Sequence, residues 1–189
     1  KRNITKAFII AAAVCLTYVL WVSPLRPFKL FSLKIIDGFY LVNDILRPLG
    51  KIAKDAVIIS IDDESMKKMN MRWPWPRSTM AQMIEKMRAG DPALICLDLV
   101  FFGESVNAEE DLRLAKAVKD SGNVFAGTYV GTDGRYILPD KMIAENVKDA
   151  GSVNKPRDID NTIRRMEPFF RSTSGNIIDY SLPAKVAAY

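Results

Sequence analysis

The run Val57-Ile-Ile-Ser-Ile-Asp-Asp-Glu-Ser-Met66, followed almost at once by Arg72-Trp-Pro-Trp-Pro-Arg77, constrains the fold more than any other stretch of this chain. The first part is rich in β-branched residues and ends in an acidic cluster, the pattern of a strand that delivers polar side chains to a sheet edge. The second part is stiff. Each proline fixes its own φ and pushes the residue before it away from helical geometry, so Trp73 and Trp75 are held in an extended, bulky segment.

The rest of the chain continues the strand and helix pattern. Ala56–Ile61 and Ala93–Val100 read as two strands, the second interrupted only by Asp98. Between them a helix is expected from about Pro76–Ser78 to a stop at Gly90, with Met80, Met83, Ile84 and Met87 on one face. Strands joined by such a crossover run parallel and are buried on both faces. A second helix, Glu109–Ser121, is expected to turn Leu112, Ala115 and Val118 inward and to lead into a strand over Val124–Tyr129. Turn and strand signals at Asp133-Gly134, Ala150–Asn154 and Ile163–Phe170 extend the sheet in mixed orientation. Asp179–Tyr189 reads as a helix without a closing cap, so the domain is expected to continue beyond Tyr189. The expected fold class is α/β: a mostly parallel sheet flanked by helices, with a mixed C-terminal extension.

Two further helices are expected ahead of that domain. Ala7–Leu25 is 19 residues without a charge, bracketed by Lys6 and Arg26, and at the helical rise it spans about 28 Å, close to a bilayer core. It reads as a transmembrane helix; a signal peptide is the competing reading, but no small-x-small cleavage site follows the run. Basic residues flank the span on both sides, so charge alone leaves its orientation open. Beyond it, Phe28, Phe31, Ile35, Phe39, Val42, Leu46 and Leu49 recur at spacings of three and four, an amphipathic stripe closed by Pro48 and Gly50. The stripe is expected to pack on the domain's own sheet, the alternative being a dimer-forming stalk. Three regions follow: residues 1–25 as membrane anchor, 26–54 as amphipathic connector and 55–189 as the α/β domain.

Charge is divided along the same line. Residues 1–54 hold nine Lys and Arg against two Asp, while the remainder holds 18 basic and 20 acidic residues. The basic surplus therefore points at a membrane surface and away from a nucleic-acid groove. The chain has no histidine, which removes the usual general base, phosphoacceptor and metal ligand together. Cys15 lies in the apolar run and Cys96 in an expected buried strand, so both read as small hydrophobes with no bridge between them.

The motifs resemble those of the second type of CHASE domain, CHASE2, a sensory domain of bacterial membrane receptors. In that family a strand ending in Asp-Asp-Glu-Ser leads to Trp-Pro-Trp-Pro-Arg and a helix, then to a strand ending in Asp with Phe nearby. This chain carries Leu97-Asp98-Leu99-Val100-Phe101 there, and later Gly151-Ser-Val-Asn154, Asp158-Ile-Asp-Asn161 and Arg164-Arg165. Asn161 stands where the family usually has Gly; Asn also tolerates a left-handed backbone. The resemblance implies a cytoplasmic amino end, residues 26–189 outside the inner membrane of a bacterial cell, and an output module: an adenylate or guanylate cyclase first, otherwise a kinase or diguanylate cyclase. Signalling requires a ligand that favours one of two domain or dimer arrangements, so a homodimer is expected in the full receptor, with an unknown small-molecule or envelope ligand and no cofactor.

Parallel strands deliver the residues after their carboxyl ends to one edge, where open α/β folds bind ligands. Asp62, Asp63 and Asp98 are expected to meet there, with Arg77 and Trp73 from the connection above, forming a charged and aromatic crevice for a cationic group or stacking ligand. Structural roles compete: Asp62 could pair with Arg77, Asp63 could cap a turn toward Ser65, and Trp75 reads as more structural than Trp73. Two other function classes stay open, an anchored extracytoplasmic adaptor and a Mg²⁺-dependent phosphoryl-transfer enzyme built on the strand-end aspartates. Arg164 and Arg165 read as an exposed, salt-bridged ribbon, and Glu109-Glu110-Asp111 as charge complementing a helix dipole.

Overall fold

The computed structural model describes residues 2–22, 26–46, 56–131, 133–171 and 176–189. The chain divides into two compact units, Lys1–Ile59 with Ile159–Asn161, and Ser60–Asp158 with Thr162–Tyr189.

The first unit is built on two helices, α1 (Arg2–Val22) and α2 (Arg26–Leu46). Phe8, Ile9, Ile10, Val14, Leu16, Tyr18 and Val19 are all exposed, so α1 shows apolar side chains on every side. Among the described residues no helix is long and apolar enough to cross a membrane. The expected span Ala7–Leu25 ends on residues 23–25, which lie outside the described ones, as do Pro48, Leu49 and Gly50. Within α2, Phe31, Phe39, Val42 and Leu46 of the stripe are exposed, and Leu33 is buried.

Ala56–Ile61 forms no strand, and Val57 and Ile58 are 84% and 89% exposed. An apolar run supplies only the tendency to be a strand. The hydrogen-bond partner must come from another segment, and among the described residues none pairs with this one.

In the second unit Asp62 opens α3 (Asp63–Met69), and the Trp-Pro-Trp-Pro segment leads into α4 (Arg77–Arg88). There follow β1 (Ile95–Cys96), α5 (Ala108–Ser121), β2 (Val124–Val130), β3 (Tyr136–Ile137), α6 (Lys141–Ala144), β4 (Asp149–Ser152), β5 (Phe169–Arg171), β6 (Ile177–Tyr180) and α7 (Leu182–Ala187). β2 is central, paired in parallel with β1 (Ile95 to Val124) and β4 (Thr128 to Ser152), and antiparallel with β3. Regular backbone bonds carry β1 further than its two residues: Leu97 N–H reaches the Phe125 carbonyl at 2.9 Å, and Gly127 N–H reaches that of Leu99 at 3.0 Å. β5 and β6 form a separate antiparallel pair.

Two faces of the sheet are covered differently. Val124 joins Ile95, Leu97, Trp75, Met80, Ile84, Leu114, Val118 and Ile143 in the core. Positions of the other parity meet α7: the Phe125 ring lies edge-on to Tyr189 at 5.4 Å, and a Cβ on Gly151 would come within 2.7 Å of Leu182 Cα. Glycine at 151 is thus required for close approach of helix to strand. Helix α5 turns Asp111, Leu114, Ala115, Ala117 and Val118 inward while Leu112 is exposed, so its buried face begins one residue earlier than the spacing of Leu112, Ala115 and Val118 suggests. Asp179–Tyr189 is not one helix. Asp179 sits buried in β6, and Ser181 caps α7.

Candidate functional site

The carboxyl ends of parallel β1, β2 and β4 open toward one edge, and the amino ends of the crossover helices face the same way. Asp98 follows β1 and Lys155 follows β4, and their side chains form an exposed ion pair. Between them, Asn154 continues the sheet with its side chain. Its Oδ1 accepts the Val130 N–H at 2.7 Å and its Nδ2 donates to the Val130 carbonyl at 2.7 Å, so the amide stands in for a neighbouring strand. Ser152, itself buried, donates its hydroxyl to the same Oδ1.

The Trp-Pro-Trp-Pro-Arg segment is anchored at both ends. Trp75 is buried and its indole N–H donates to the Met71 carbonyl at 3.3 Å, whereas Trp73 is 46% exposed, with the two rings 6.3 Å apart. Arg77 reaches from the first turn of α4 to Asp111 in α5, and its other terminal nitrogen donates to the carbonyls of Phe102 and Gly103. Asp111 also accepts the Ser105 N–H at 2.9 Å, and Glu110 accepts the Arg77 backbone N–H at 3.0 Å. This clamp ties two helix amino ends to the loop that leaves β1. Burial opposes the charge of Asp111, but the Ser105 N–H and the Arg77 guanidinium outweigh it and hold the carboxyl below its ordinary value.

Asp62, Arg77 and Asp98 each bond outside the expected set. Asp62 is the N-cap of α3, accepting the Ser65 N–H at 2.8 Å while the Ser65 hydroxyl accepts the Asp62 N–H at 2.8 Å. These Ser65 bonds hold the Asp62 carboxyl below its ordinary value. The cap is therefore Asp62 and not Asp63, which lies in the first turn of the helix. Arg77 pairs with Asp111 and not with Asp62. Cys96, expected in a buried strand, is exposed, as is Cys15, and both are free thiols. Among the described residues no group of three or more acidic or thiol side chains could hold a metal ion.

The residues missed in the sequence are Asp111, Lys155 and Asn154. A signal existed for the first: Asp111, Leu114, Ala115 and Val118 fall at helical spacing, which places the aspartate on the buried stripe. Arg164 was expected on an exposed ribbon but is buried against Asp158 at 3.1 Å, with side chains 4% and 7% exposed, while the Arg165 side chain is 71% exposed and bonds the same carboxylate. Asn161 takes φ 64°, the left-handed conformation that glycine would have supplied.

This architecture meets a matching family model, the CHASE2 domain, over residues 10–189. The chain belongs to the CHASE2 family. CHASE2 is an extracellular sensory domain of signalling receptors and is not itself catalytic. No curated protein and no solved structure matches the chain. The buried Arg77–Asp111 pair holds a loop and two helix ends together, while Trp73, Asp98 and Lys155 are exposed.

Proposed function

We propose that this CHASE2 chain is the extracytoplasmic sensory portion of a bacterial transmembrane receptor, anchored in the inner membrane by α1. Family membership over residues 10–189 carries the reading. The exposed apolar side chains all round α1 support the anchor, since a helix that is hydrophobic on every side belongs in a protein core or a bilayer. The cue, a small molecule or an envelope component, is recognised at the C-terminal edge of the sheet by Trp73, Asp62, Asp63 and Asp98, with Lys155 added; Arg77 positions the edge through Asp111. The cue acts by favouring one of two arrangements of a homodimer, because a ligand that binds both equally moves neither. The output is a cyclase, adenylate or guanylate, and otherwise a kinase or diguanylate cyclase.

The two native thiols provide the test. In a Cys15→Ser background, Cys96 is exposed on β1 and is expected to react with a membrane-impermeant maleimide in intact spheroplasts of cells making the full receptor. Reaction only after lysis would overturn the extracytoplasmic placement.

A further inference from the structure

We propose that α2 is an interfacial helix that lies on an anionic lipid surface, with its exposed apolar stripe in the acyl boundary. The proposal rests on the reading of α1 as the membrane anchor. At about 100° per residue, Phe28, Phe31, Ile35, Phe39, Val42 and Leu46 fall within an arc of about 80°. Of these, Phe31, Phe39, Val42 and Leu46 are 66%, 71%, 51% and 74% exposed, and Ile45 beside them is 70% exposed. Leu33, the one buried among the described residues of the helix, lies on the far side of the wheel. The stripe is thus exposed along most of the helix, and Tyr40 and Leu41 on the far side are exposed as well.

Charge selects lipid over a second copy as the occupant. Lys29 and Lys34 are exposed and lie on opposite flanks of the arc, each about 100–120° from its centre. Lysines so placed reach up from a buried stripe to headgroup phosphates, with the stems covering apolar surface. Asp37, which pairs with Lys34 at 3.3 Å, lies almost opposite the stripe, where it would face water. A symmetric second copy laid along the same stripe would set flanking lysine against flanking lysine, the wrong sign for a coiled-coil seam. The surplus of basic residues over residues 1–54 adds to the attraction for anionic lipid. The helix also follows directly on the proposed anchor, which keeps it at the surface.

Site-directed spin labelling of the full chain tests the assignment, in a Cys15→Ser, Cys96→Ser background reconstituted into vesicles of phosphatidylglycerol and phosphatidylethanolamine. Labels replacing Phe31, Phe39 and Leu46 are expected to be more accessible to oxygen than to a water-soluble nickel chelate, at a depth of about 5–10 Å. A label at Asp37 is expected to show the reverse. In a Lys29→Glu, Lys34→Glu variant, the ratio of lipid-facing to water-facing Phe39 label should fall roughly fivefold per lysine. Chelate accessibility along the stripe would overturn the proposal. So would protection from both reagents with labels of two chains close together, which would make the stripe a seam between copies. Labels at Ile10 and Val14 report α1 separately. If they sit in lipid while the stripe does not, the anchor stands and the interfacial helix falls; if the stripe sits in lipid while they do not, the anchor falls and the interfacial helix stands.

Discussion

Removing the carboxylate of Asp111 is expected to destabilise the domain more than any surface charge change, although the residue looks like ordinary helix-dipole charge. The side chain is 1% exposed, and it accepts one bond from Arg77 and one from the Ser105 N–H. Hydrogen bonds to charged groups are worth about 1.5–3 kcal/mol each, and breaking a buried ion pair costs about 3–5 kcal/mol. Asp111→Ala should therefore cost about 3–5 kcal/mol, a fall in Tm of roughly 10 °C for a chain of this size. Asp111→Asn keeps the shape and one acceptor and should cost about 2–3 kcal/mol. The assay is urea unfolding followed by near-ultraviolet circular dichroism, with Arg77→Met and the double variant completing a cycle; the coupling should exceed about 1.5 kcal/mol. The pH dependence has a definite sign. The folded carboxyl is held below its unfolded value, so its contribution is complete above the ordinary carboxylate value of about 3.9 and is lost as pH falls through the folded one. The gap between the natural chain and Asp111→Asn should stay constant from about pH 7 to 5 and close below about pH 4. A loss under about 1 kcal/mol for Asp111→Ala, or simple additivity with Arg77→Met, would refute the clamp.

Three further predictions follow from the sheet. Gly151→Ala places a Cβ 2.7 Å from Leu182 Cα, which should force α7 away from β4 and lower stability by about 1–3 kcal/mol in urea unfolding. Asn154→Ala leaves both the N–H and the carbonyl of Val130 without the amide that now serves them; faster hydrogen exchange at the Val130 amide and a loss of about 2–3 kcal/mol should appear together. Tyr136 has its phenol pushed up to about 12 by burial, with Asp179 adding to the rise. A raised folded value means its contribution is present below the unfolded value of about 10 and is lost as pH climbs from there to about 12. Tyr136→Phe should therefore remove the last tyrosine step from an ultraviolet titration and flatten stability across that window.

Much of the domain is written in short-range pattern. The α4 stripe of Met80 and Ile84, the stop before Gly90, the strand from Val124 and the stiff Trp-Pro-Trp-Pro turn all depend on neighbours a few residues away, and such preferences can be read locally. The same holds for the helical reach of α1 and α2. The left-handed backbone at Asn161 is one that its residue type tolerates.

What the sequence could not determine is which segments find one another. Val57–Ile61 has the composition of a strand, yet it finds no strand partner among the described residues, because a ladder is a contract between two distant segments. The aspartates at strand ends could be named, but their partners, Lys155 for Asp98 and Ser65 for Asp62, depend on which loops converge at the edge. Arg77 and Asp111 lie 34 residues apart, and only the packing of α4 against α5 makes them one buried pair. Sequence alone determined the family, the helix periods and the charge division; the tertiary structure decided which charges are spent inside and which remain exposed, because burial and long-range hydrogen bonding are properties of the assembled chain.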